Sequence, residues 1–252
     1  MITIKSEKEI QAIQEGGKIL ADIIEEVARK VRPGITTNYL NKVARDLVLK
    51  SGAKPSFENY MGFPATLCTS VNEVIVHGVP GGLALKEGDI ISLDLGILYK
   101  GYHTDMAITV PVGKTAPEAA RLIKVARESL EKGIKEANPG KKFSDIGKAI
   151  QKYVEGEGFG VVRELCGHGI GKKLHEDPQI LNYLTKGEGG EIIKEGMVFC
   201  IEPMITIGDW HVKKAKDNLA YETADRSLAA HFEHTIAITR VGRQVLTERE
   251  QN

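Results

Sequence analysis

The chain has 252 residues, 42% of them hydrophobic, so it can bury one sizeable core and nothing requires a division into independent domains. Lysine plus arginine equals aspartate plus glutamate, at 34 each, which excludes the basic excess that draws proteins onto nucleic acid or an acidic membrane. The cysteines Cys68, Cys166 and Cys200 lack CxxC spacing, which argues against a disulfide framework or a structural zinc site and favours a reducing cytosol.

The N-terminal segment has neither a basic run nor the roughly 20 apolar residues of a membrane span, so no export or membrane insertion is expected. A first helix is predicted from the capping pair Ser6 and Glu9 to a stop at Pro33-Gly34, because apolar residues between them keep helical spacing. A second helix should run from Thr36-Thr37 to Ser51-Gly52. Strands are then predicted at 65–70, 74–77, 90–98 and 105–112.

The same order of elements recurs in the second half, with helices predicted from Pro117 to about Ala137 and from Ser144 to Gly156. A shift of about 106 residues places Pro33-Gly34 on Pro139-Gly140, a similarity that chance placement of glycine and proline could also produce. We expect one domain over 1–252, made of two related halves at roughly 1–112 and 113–252. Such halves predict an α+β fold with helices outside a curved antiparallel sheet.

A carboxylate stands in the middle of an apolar strand at Asp94, where burial and strand propensity both disfavour aspartate. If Tyr99-Lys100 forms a two-residue turn, Asp94 lies directly opposite Asp105 with the Cβ atoms about 5 Å apart. Two like charges there would repel by about 3 kcal/mol at an effective dielectric constant near 20. A shared proton or a bound cation is therefore expected.

The same anomaly recurs at Glu202 and Glu233, each in an apolar strand, while His168 is flanked by glycines that leave its ring uncovered. For any one carboxylate a salt bridge to lysine or arginine is the alternative, and for His168 the alternative is a satisfied core histidine. Together, four carboxylates and one imidazole would balance two divalent cations of the Mn, Fe, Co or Zn kind. The set predicts a dinuclear hydrolytic centre.

The ligand candidates resemble, in order and spacing, the five-ligand signature of the methionine aminopeptidases. The matching motifs are Asp94 with Asp105 eleven positions on, Gly167-His168-Gly169, Ile201-Glu202-Pro203-Met204 and Phe232-Glu233-His234-Thr235. The resemblance covers nearly the whole chain. The short interval between His175 and Glu202 leaves no room for the helical insertion of type II members, so a type I member without an N-terminal extension is expected.

The resemblance implies a pseudo-twofold "pita-bread" fold and a metalloaminopeptidase that removes the initiator methionine from nascent proteins when the second residue is small. It implies two divalent metal ions as cofactors and leaves their identity undecided among Co, Mn, Fe and Zn. The implied partners are nascent polypeptide N-termini near the ribosome, and the implied setting is the cytoplasm. A monomer is expected, with no nucleic acid and no membrane contact.

The resemblance also implies a role for each site residue. Asp94 would chelate one metal, Asp105 and Glu233 would bridge both, and His168 with Glu202 would complete the second site. Glu202 would also shuttle the proton when water attacks the scissile carbonyl. The remaining catalytic candidates are two histidines: His175 would stabilise the oxyanion, and His77 would contact the substrate backbone.

The methionine side-chain pocket is predicted to include Tyr60, Phe63 and Cys68, which stand on family-matching positions, together with His77 and His175. Leu174 and Leu219 belong to the same predicted pocket but depart from the family. Family members often have phenylalanine in place of Leu174 and usually have tryptophan in place of Leu219. The pocket should therefore be wider, unless Phe57 fills the space from across it. An aromatic and leucine cluster of plain core is the alternative.

Three further histidines are not predicted to be ligands. His234 should point to the opposite face from its neighbour Glu233, and His103 lies near a turn. His231 shares the face of Glu233, and the family commonly carries glutamine at that position. A supporting role beside the ligands is an open prediction for His231.

Two other functions fit the same fold. Prolidases and aminopeptidases P cleave X-Pro peptides with similar metals, but those relatives usually carry an additional N-terminal domain. A non-catalytic pita-bread binding protein is the other alternative, although such proteins lose ligands and this chain keeps all five candidates together with His77 and His175.

Overall fold

The computed structural model describes residues 1–185 and 190–249. The helices are α1 (Glu7–Ala28), α2 (Thr37–Lys50), α3 (Pro117–Glu136) and α4 (Phe143–Gly156), and Tyr60–Gly62 forms a short 3₁₀ turn. The strands are β1 (Lys54–Pro55), β2 (Leu67–Val71), β3 (Val74–Val76), β4 (Ile90–Tyr99), β5 (Tyr102–Pro111), β6 (Gly160–Val161), β7 (Gly167–Gly169), β8 (Glu176–Ile180), β9 (Val198–Ile201), β10 (Met204–Thr206), β11 (Val212–Lys214), β12 (Tyr221–Thr223), β13 (Ala229–His231), β14 (Glu233–Thr239) and β15 (Gly242–Val245).

The helix starts follow the local signals in the sequence. The Ser6 side chain accepts from the Glu9 backbone N–H while the Glu9 carboxylate accepts from the Ser6 backbone, which is the predicted capping box. The Thr36 hydroxyl caps α2 by accepting from Tyr39. Helix α3 has no side-chain cap and instead opens with Pro117, whose missing N–H costs nothing at a first position. The predicted helices are confirmed to within a few residues at each end.

Nine strands form one antiparallel sheet in the order β1-β4-β5-β14-β9-β7-β8, with β2 paired to β4 and β15 paired to β14. Strand β14 lies between β5 and β9, so it joins strands from distant parts of the chain into a continuous sheet. Two small sheets, β13-β10-β6 and β11-β12-β3, complete the strand pairing of the described residues.

Strand alternation separates an apolar face of the large sheet from a polar one. On β4, Leu93 and Leu95 pack with Leu20 of α1 and Leu40 of α2 in one buried cluster. In the second half, α3 and α4 pack in the same way on β9 and β14; the residues of that cluster include Leu122, Ile146, Ile150, Phe199, Ile201, Ile236 and Ile238. The predicted α+β class, with helices on one face of an antiparallel sheet, is confirmed. The intervening positions of these strands face the other side.

The register of the β4–β5 hairpin differs from the prediction. The turn is Lys100-Gly101, with Tyr99 paired to Tyr102, so Asp94 lies opposite Ala107 rather than opposite Asp105. Both turn residues have positive φ, 49° and 84°, as a type I′ turn requires, and Gly101 adopts that conformation without strain. The predicted turn was therefore one residue too early. A two-residue register shift keeps every side chain on its face, so the two aspartates are diagonal neighbours.

Within the described residues, no helix combines the length and the apolar character that crossing a membrane requires.

Candidate metal centre

Five neighbouring strands each bring one predicted ligand to the polar face of the sheet. In sheet order, Asp94 lies on β4, Asp105 on β5, Glu233 at the start of β14, Glu202 directly after β9, and His168 in the middle of β7. The residues are far apart in sequence, and strand pairing alone aligns them. The structure therefore gathers all five predicted ligands along one line across the sheet.

The ligand atoms are close enough to share cations. Oxygen atoms of Asp94, Asp105 and Glu233 all lie within 4.8 Å of one another. The Nε2 atom of His168 is 3.6 Å from Oε1 of Glu202. Two carboxylate oxygens, Oδ1 of Asp94 and Oε1 of Glu233, are buried without a hydrogen-bond partner. A buried, unpaired carboxylate oxygen is costly unless a proton or a cation satisfies it.

Burial controls the protonation of these carboxylates. It raises the pKa of Asp94 to about 7, against the lowering effect of hydrogen bonds with Cys68 and Asp105. Burial and then the neighbouring carboxylates hold the pKa values of Asp105, Glu202 and Glu233 well above their usual range. In the described part of the chain, the ionic partners of the four carboxylates are His168 and His231, and no lysine or arginine pairs with them. The salt-bridge alternative is wrong for this cluster.

The ring of His168 is oriented for ligation. Its Nδ1 atom lies 2.9 Å from the carbonyl oxygen of Gly169, so Nδ1–H donates there and the lone pair of Nε2 faces Glu202. Burial lowers the pKa of His168 to about 3, with a further contribution from His175, which keeps the imidazole neutral. A Cβ on Gly169 would come within 2.0 Å of the Asp177 carbonyl oxygen, and one on Gly167 within 2.3 Å of the Cys200 carbonyl oxygen. Only glycine fits on either side of His168.

The predicted catalytic histidine His175 lies beside this centre. Its ring centroid is 4.2 Å from that of His168, and its Nδ1 is 2.9 Å from the Tyr60 hydroxyl oxygen. Burial lowers the pKa of His175 to about 4, followed by the effects of His77 and His103, so the ring is neutral. If the Tyr60 hydroxyl donates to Nδ1, the proton is on Nε2. His175 can then donate a hydrogen bond without carrying charge.

The predicted substrate contact His77 has a left-handed backbone, with φ of 59°, a conformation that is strained for a residue with a side chain and concentrates at functional sites. Burial lowers its pKa, against a hydrogen bond to the backbone of Leu219. Its ring centroid is 6.0 Å from that of Tyr221. The hydrogen bond therefore holds the His77 ring next to Leu219, another residue of the predicted pocket.

A cavity of about 1220 Å³ opens over the carboxylates. All of the predicted pocket residues line it, together with the ligand candidates; the pocket residues are Tyr60, Phe63, Cys68, His77, Leu174, His175 and Leu219. Phe57 also lines it and belongs with Phe63 and Leu174 to one apolar cluster. Cys68 pairs with Asp94 in the sheet, and its thiol hydrogen-bonds that carboxylate. The cavity thus has an apolar end next to an acidic floor.

The three histidines that the sequence did not predict as ligands, His103, His231 and His234, separate into two kinds. The Nδ1 atom of His234 is 2.9 Å from the Thr247 hydroxyl oxygen, and that of His103 is 2.8 Å from the Ser56 hydroxyl oxygen, so both have ordinary partners. His231 instead lies among the ligands, with Nε2 3.8 Å from Glu202 Oε2. Burial lowers its pKa to about 3.

Some residues around the site were not predicted from the sequence. The Thr235 hydroxyl accepts from the Asp105 N–H and donates to the Asp105 carbonyl, at 3.0 and 2.8 Å, which fixes β5 against β14. Lys5 is buried and pairs with Glu176 at 2.8 Å, next to His175. Thr235 stands inside a matching motif and could have been found there. A lysine near the start of the chain is expected at the surface, so no sequence signal identifies Lys5.

Comparison with known proteins agrees with this geometry. The model of metallopeptidase family M24 matches residues 11–240. Methionine aminopeptidase 1 of Bacillus subtilis (strain 168) is 48% identical over 247 residues, which are 98% of this chain and 99% of that protein. Crystal structures of methionine aminopeptidases from Rickettsia prowazekii and Thermotoga maritima each match with a TM-score of 0.96, at 40% and 43% identity, over 98% and 99% of this chain and 100% of theirs.

The sheet and its acidic centre define a metal-dependent peptidase, and the chain belongs to metallopeptidase family M24. Its activity is that of a methionine aminopeptidase, a metal-dependent hydrolase that acts on the N-terminal methionine of polypeptides. The pita-bread fold implied by the sequence resemblance is confirmed by these structural neighbours.

Proposed function

We propose that Asp94, Asp105, His168, Glu202 and Glu233 hold two divalent cations and that this centre removes N-terminal methionine. The observation that carries the proposal is the line of carboxylates, two of which have buried oxygens without a partner, and to which no lysine or arginine among the described residues is paired. Oxygen-rich donors with one imidazole suit Co, Mn, Fe or Zn. Two such cations would supply Lewis acidity at the scissile carbonyl and lower the pKa of the attacking water.

In this proposal Glu202 moves the proton. It borders the cavity beside His168, and its position is fixed because the Asn182 side chain donates to its backbone carbonyl at 3.0 Å. Glu202 would take a proton from the attacking water and deliver it to the leaving amine. The raised pKa that burial gives this carboxyl favours proton acceptance.

His175 would donate from Nε2 to the carbonyl oxygen as negative charge develops there, since Tyr60 holds its Nδ1. His77 also lines the cavity, and its left-handed backbone would present its ring to the substrate main chain. Both rings are neutral donors, so they would stabilise the transition state without competing with cations for the carboxylates.

The proposal extends to the substrates, the cellular location and the oligomeric state of the protein. We infer that the substrates are nascent polypeptides with a small second residue, met near the ribosome in the cytoplasm, and that the chain acts as a monomer. The sequence motifs shared with methionine aminopeptidases support these points. Neutral net charge is consistent with the absence of a nucleic-acid partner.

We also propose that the chain is a single domain built from two related halves, roughly 1–112 and 113–252. Helices α2 and α4 have the same length and are offset by 106 residues, as 143 − 37 and 156 − 50 show. An isolated bridge joins Thr36 to Ala84 in the first half, and another joins Lys142 to Ile192 in the second. Both helices also follow a glycine with positive φ, Gly34 and Gly140. These correspondences support an internal duplication.

The proposed function is tested by measuring release of the first residue from Met-Ala, Met-Lys and Ala-Pro peptides, after metal removal and after re-addition of Co, Mn, Fe or Zn. We expect metal-dependent release from Met-Ala, little from Met-Lys because its second residue is large, and none from Ala-Pro. Cleavage of Ala-Pro in preference to Met-Ala would favour an X-Pro peptidase instead. Absence of any metal-dependent release would favour a binding protein.

The side-chain pocket carries a prediction of its own. Because Leu174 and Leu219 line the cavity where the family often has larger aromatic rings, wild type should cleave N-terminal norleucine well and tolerate leucine. Leu219→Trp should raise the methionine-to-leucine ratio of kcat/KM by about tenfold or more, since one methylene in an apolar pocket is worth about 1 to 3 kcal/mol. Steady-state kinetics on Met-Ala and Leu-Ala peptides measure this ratio.

A matched control for this prediction is Leu83→Trp, the same change at a leucine that is 55% exposed and does not line the cavity. It should leave the ratio unchanged. An unchanged ratio in Leu219→Trp as well would mean that Leu219 does not shape the pocket, and that Phe57 already closes the space.

A further inference from the structure

His231 occupies a position inside the acidic centre that the five-ligand set does not use. Its side chain is 2% exposed, and its Nε2 atom is 3.8 Å from Glu202 Oε2 and 4.0 Å from Glu233 Oε2. One ligand atom from each of these three residues lies within 4.8 Å of the other two. His231 therefore faces the same carboxylates that the proposed function assigns to the cations.

Neither ring nitrogen of His231 has a hydrogen-bond partner among the described residues. A histidine that only fills the core normally finds hydrogen-bond partners, as the part-buried His234 does at Nδ1 through the Thr247 hydroxyl at 2.9 Å. The distances from His231 to the carboxylates are also too long for charge-assisted hydrogen bonds, which measure about 2.7 to 2.9 Å. An ordinary core role does not explain the ring.

The separations are those expected of ligands on opposite sides of a cation. Imidazole nitrogen and carboxylate oxygen each bind first-row cations at about 2.1 Å, so two such ligands of one cation lie up to about 4.2 Å apart. The separations of 3.8 and 4.0 Å fall within that span. A cation between His231, Glu202 and Glu233 would satisfy a nitrogen that has no other partner.

The backbone of His231 is fixed in this position. The Thr109 hydroxyl donates to the His231 carbonyl at 2.8 Å and accepts from the His231 N–H at 2.9 Å. The Ser92 hydroxyl lies 2.8 Å from that of Thr109 and donates to it. Thr109 stands on β5, four residues after Asp105, so the clamp ties His231 to a strand that carries a ligand.

We propose that His231 is a sixth protein ligand of the metal centre, donating Nε2 to a cation shared with Glu202 and Glu233. A second imidazole would bias the centre toward cations that favour nitrogen, such as Co, Zn and Fe, relative to Mn. His231 thereby sets metal preference, while the carboxylates supply most of the charge. The inference rests on the proposed metal centre and assigns it one more residue.

The test compares metal binding in wild type, His231→Gln and His234→Gln, all prepared metal-free and titrated separately with Co and Mn by calorimetry. Glutamine can still hydrogen-bond but is a poor nitrogen ligand, so His231→Gln should weaken Co binding about tenfold or more and Mn binding clearly less. The visible absorption of the Co-loaded protein should change with it. His234→Gln, at a part-buried histidine whose ring is held by Thr247 outside the cluster, should leave both affinities and the spectrum as in wild type.

A second measurement needs no variant. In Co-loaded wild type, proton NMR should show two solvent-exchangeable imidazole N–H signals shifted by the paramagnetic ion, one from His168 and one from His231. One such signal, or an unchanged Co-to-Mn affinity ratio and spectrum in folded His231→Gln, would overturn the proposal. If wild type itself bound neither Co nor Mn, the metal centre of the proposed function would fail instead.

Discussion

Replacing His175 with alanine is expected to leave the cations bound while kcat falls by about 10² to 10³, the usual effect of losing an oxyanion donor. His168→Ala is expected to lose metal, with affinity falling by more than the roughly 10- to 100-fold typical of residues that only support a ligand. The two rings are 4.2 Å apart, yet Nε2 of His168 faces Glu202 whereas Nδ1 of His175 is held by Tyr60. Replacing one of these neighbouring histidines should therefore remove metal, whereas replacing the other should lower kcat.

Metal content after dialysis, measured by mass spectrometry, and kcat/KM on Met-Ala at saturating metal separate the two variants. His103→Gln is the matched control, because His103 is a partly buried histidine bound to Ser56 and is absent from the cavity lining. It should keep both metal and activity. Equal metal loss in His168→Ala and His175→Ala would contradict the division of roles.

Metal removal is expected to make the stability of the protein fall as pH rises from about 6.5 to about 8. Below that window the histidines in and around the site, whose pKa values burial lowers to about 3 to 4, contribute stability that increases with pH and offsets the loss from the carboxylates. Burial raises the pKa of Asp94 from 3.8 to about 7, and Asp105, Glu202 and Glu233 are raised as well. A carboxyl whose pKa is raised on folding binds its proton more tightly in the folded state. Its contribution to stability is therefore full below the unfolded pKa near 4 and is lost as pH rises through the folded pKa.

Added Co or Mn should reverse this trend, because the cations bind the deprotonated carboxylates. A hundredfold excess over Kd contributes about 2.7 kcal/mol, and the gain should increase with pH across the same window. Asp105→Asn should raise the Tm of the metal-free protein at pH 8 and shrink the gain from metal. Thermal unfolding at several pH values, with and without metal, measures both effects.

The control for the pH experiment is Asp46→Asn, at an exposed aspartate of α2 that forms a surface pair with Lys42. Surface pairs contribute little, so its pH profile and metal response should match those of wild type. A Tm of the metal-free wild type that rises from pH 6.5 to pH 8 would show that the carboxylates are not held protonated by burial.

The helices were predictable because their signals act within one turn of chain. Ser6 with Glu9 and Thr36 with Tyr39 make the expected caps, and Pro117 opens α3. The hairpin register was not predicted correctly, since placing the turn at Tyr99-Lys100 ignored the need for positive φ at both central residues. The error did not affect the site, because a two-residue shift leaves Asp94 and Asp105 on one face.

The pairing of β14 between β5 and β9 could not be predicted from local signals, because nothing within a strand specifies its partner. The five ligand candidates were found by their chemistry, as charged residues in apolar strands, and by the family resemblance. Residues that hold a site residue in place from a distant part of the chain leave no recognisable pattern in the sequence. Thr109 clamps His231 across 122 positions, and Lys5 reaches Glu176 across 171, so only the folded chain reveals them.

The close packing around Gly167 and Gly169 limits how this enzyme can be re-engineered. A saturation library spanning 167–169 would yield almost no folded clones except those that keep both glycines, because any side chain meets a neighbouring backbone carbonyl rather than a movable group. Diversity aimed at new substrates is better placed at Leu219, whose side chain borders the cavity, and at Met61, which is 84% exposed on its rim. Directed evolution of this enzyme should therefore keep Gly167 and Gly169 and vary the residues that line the cavity.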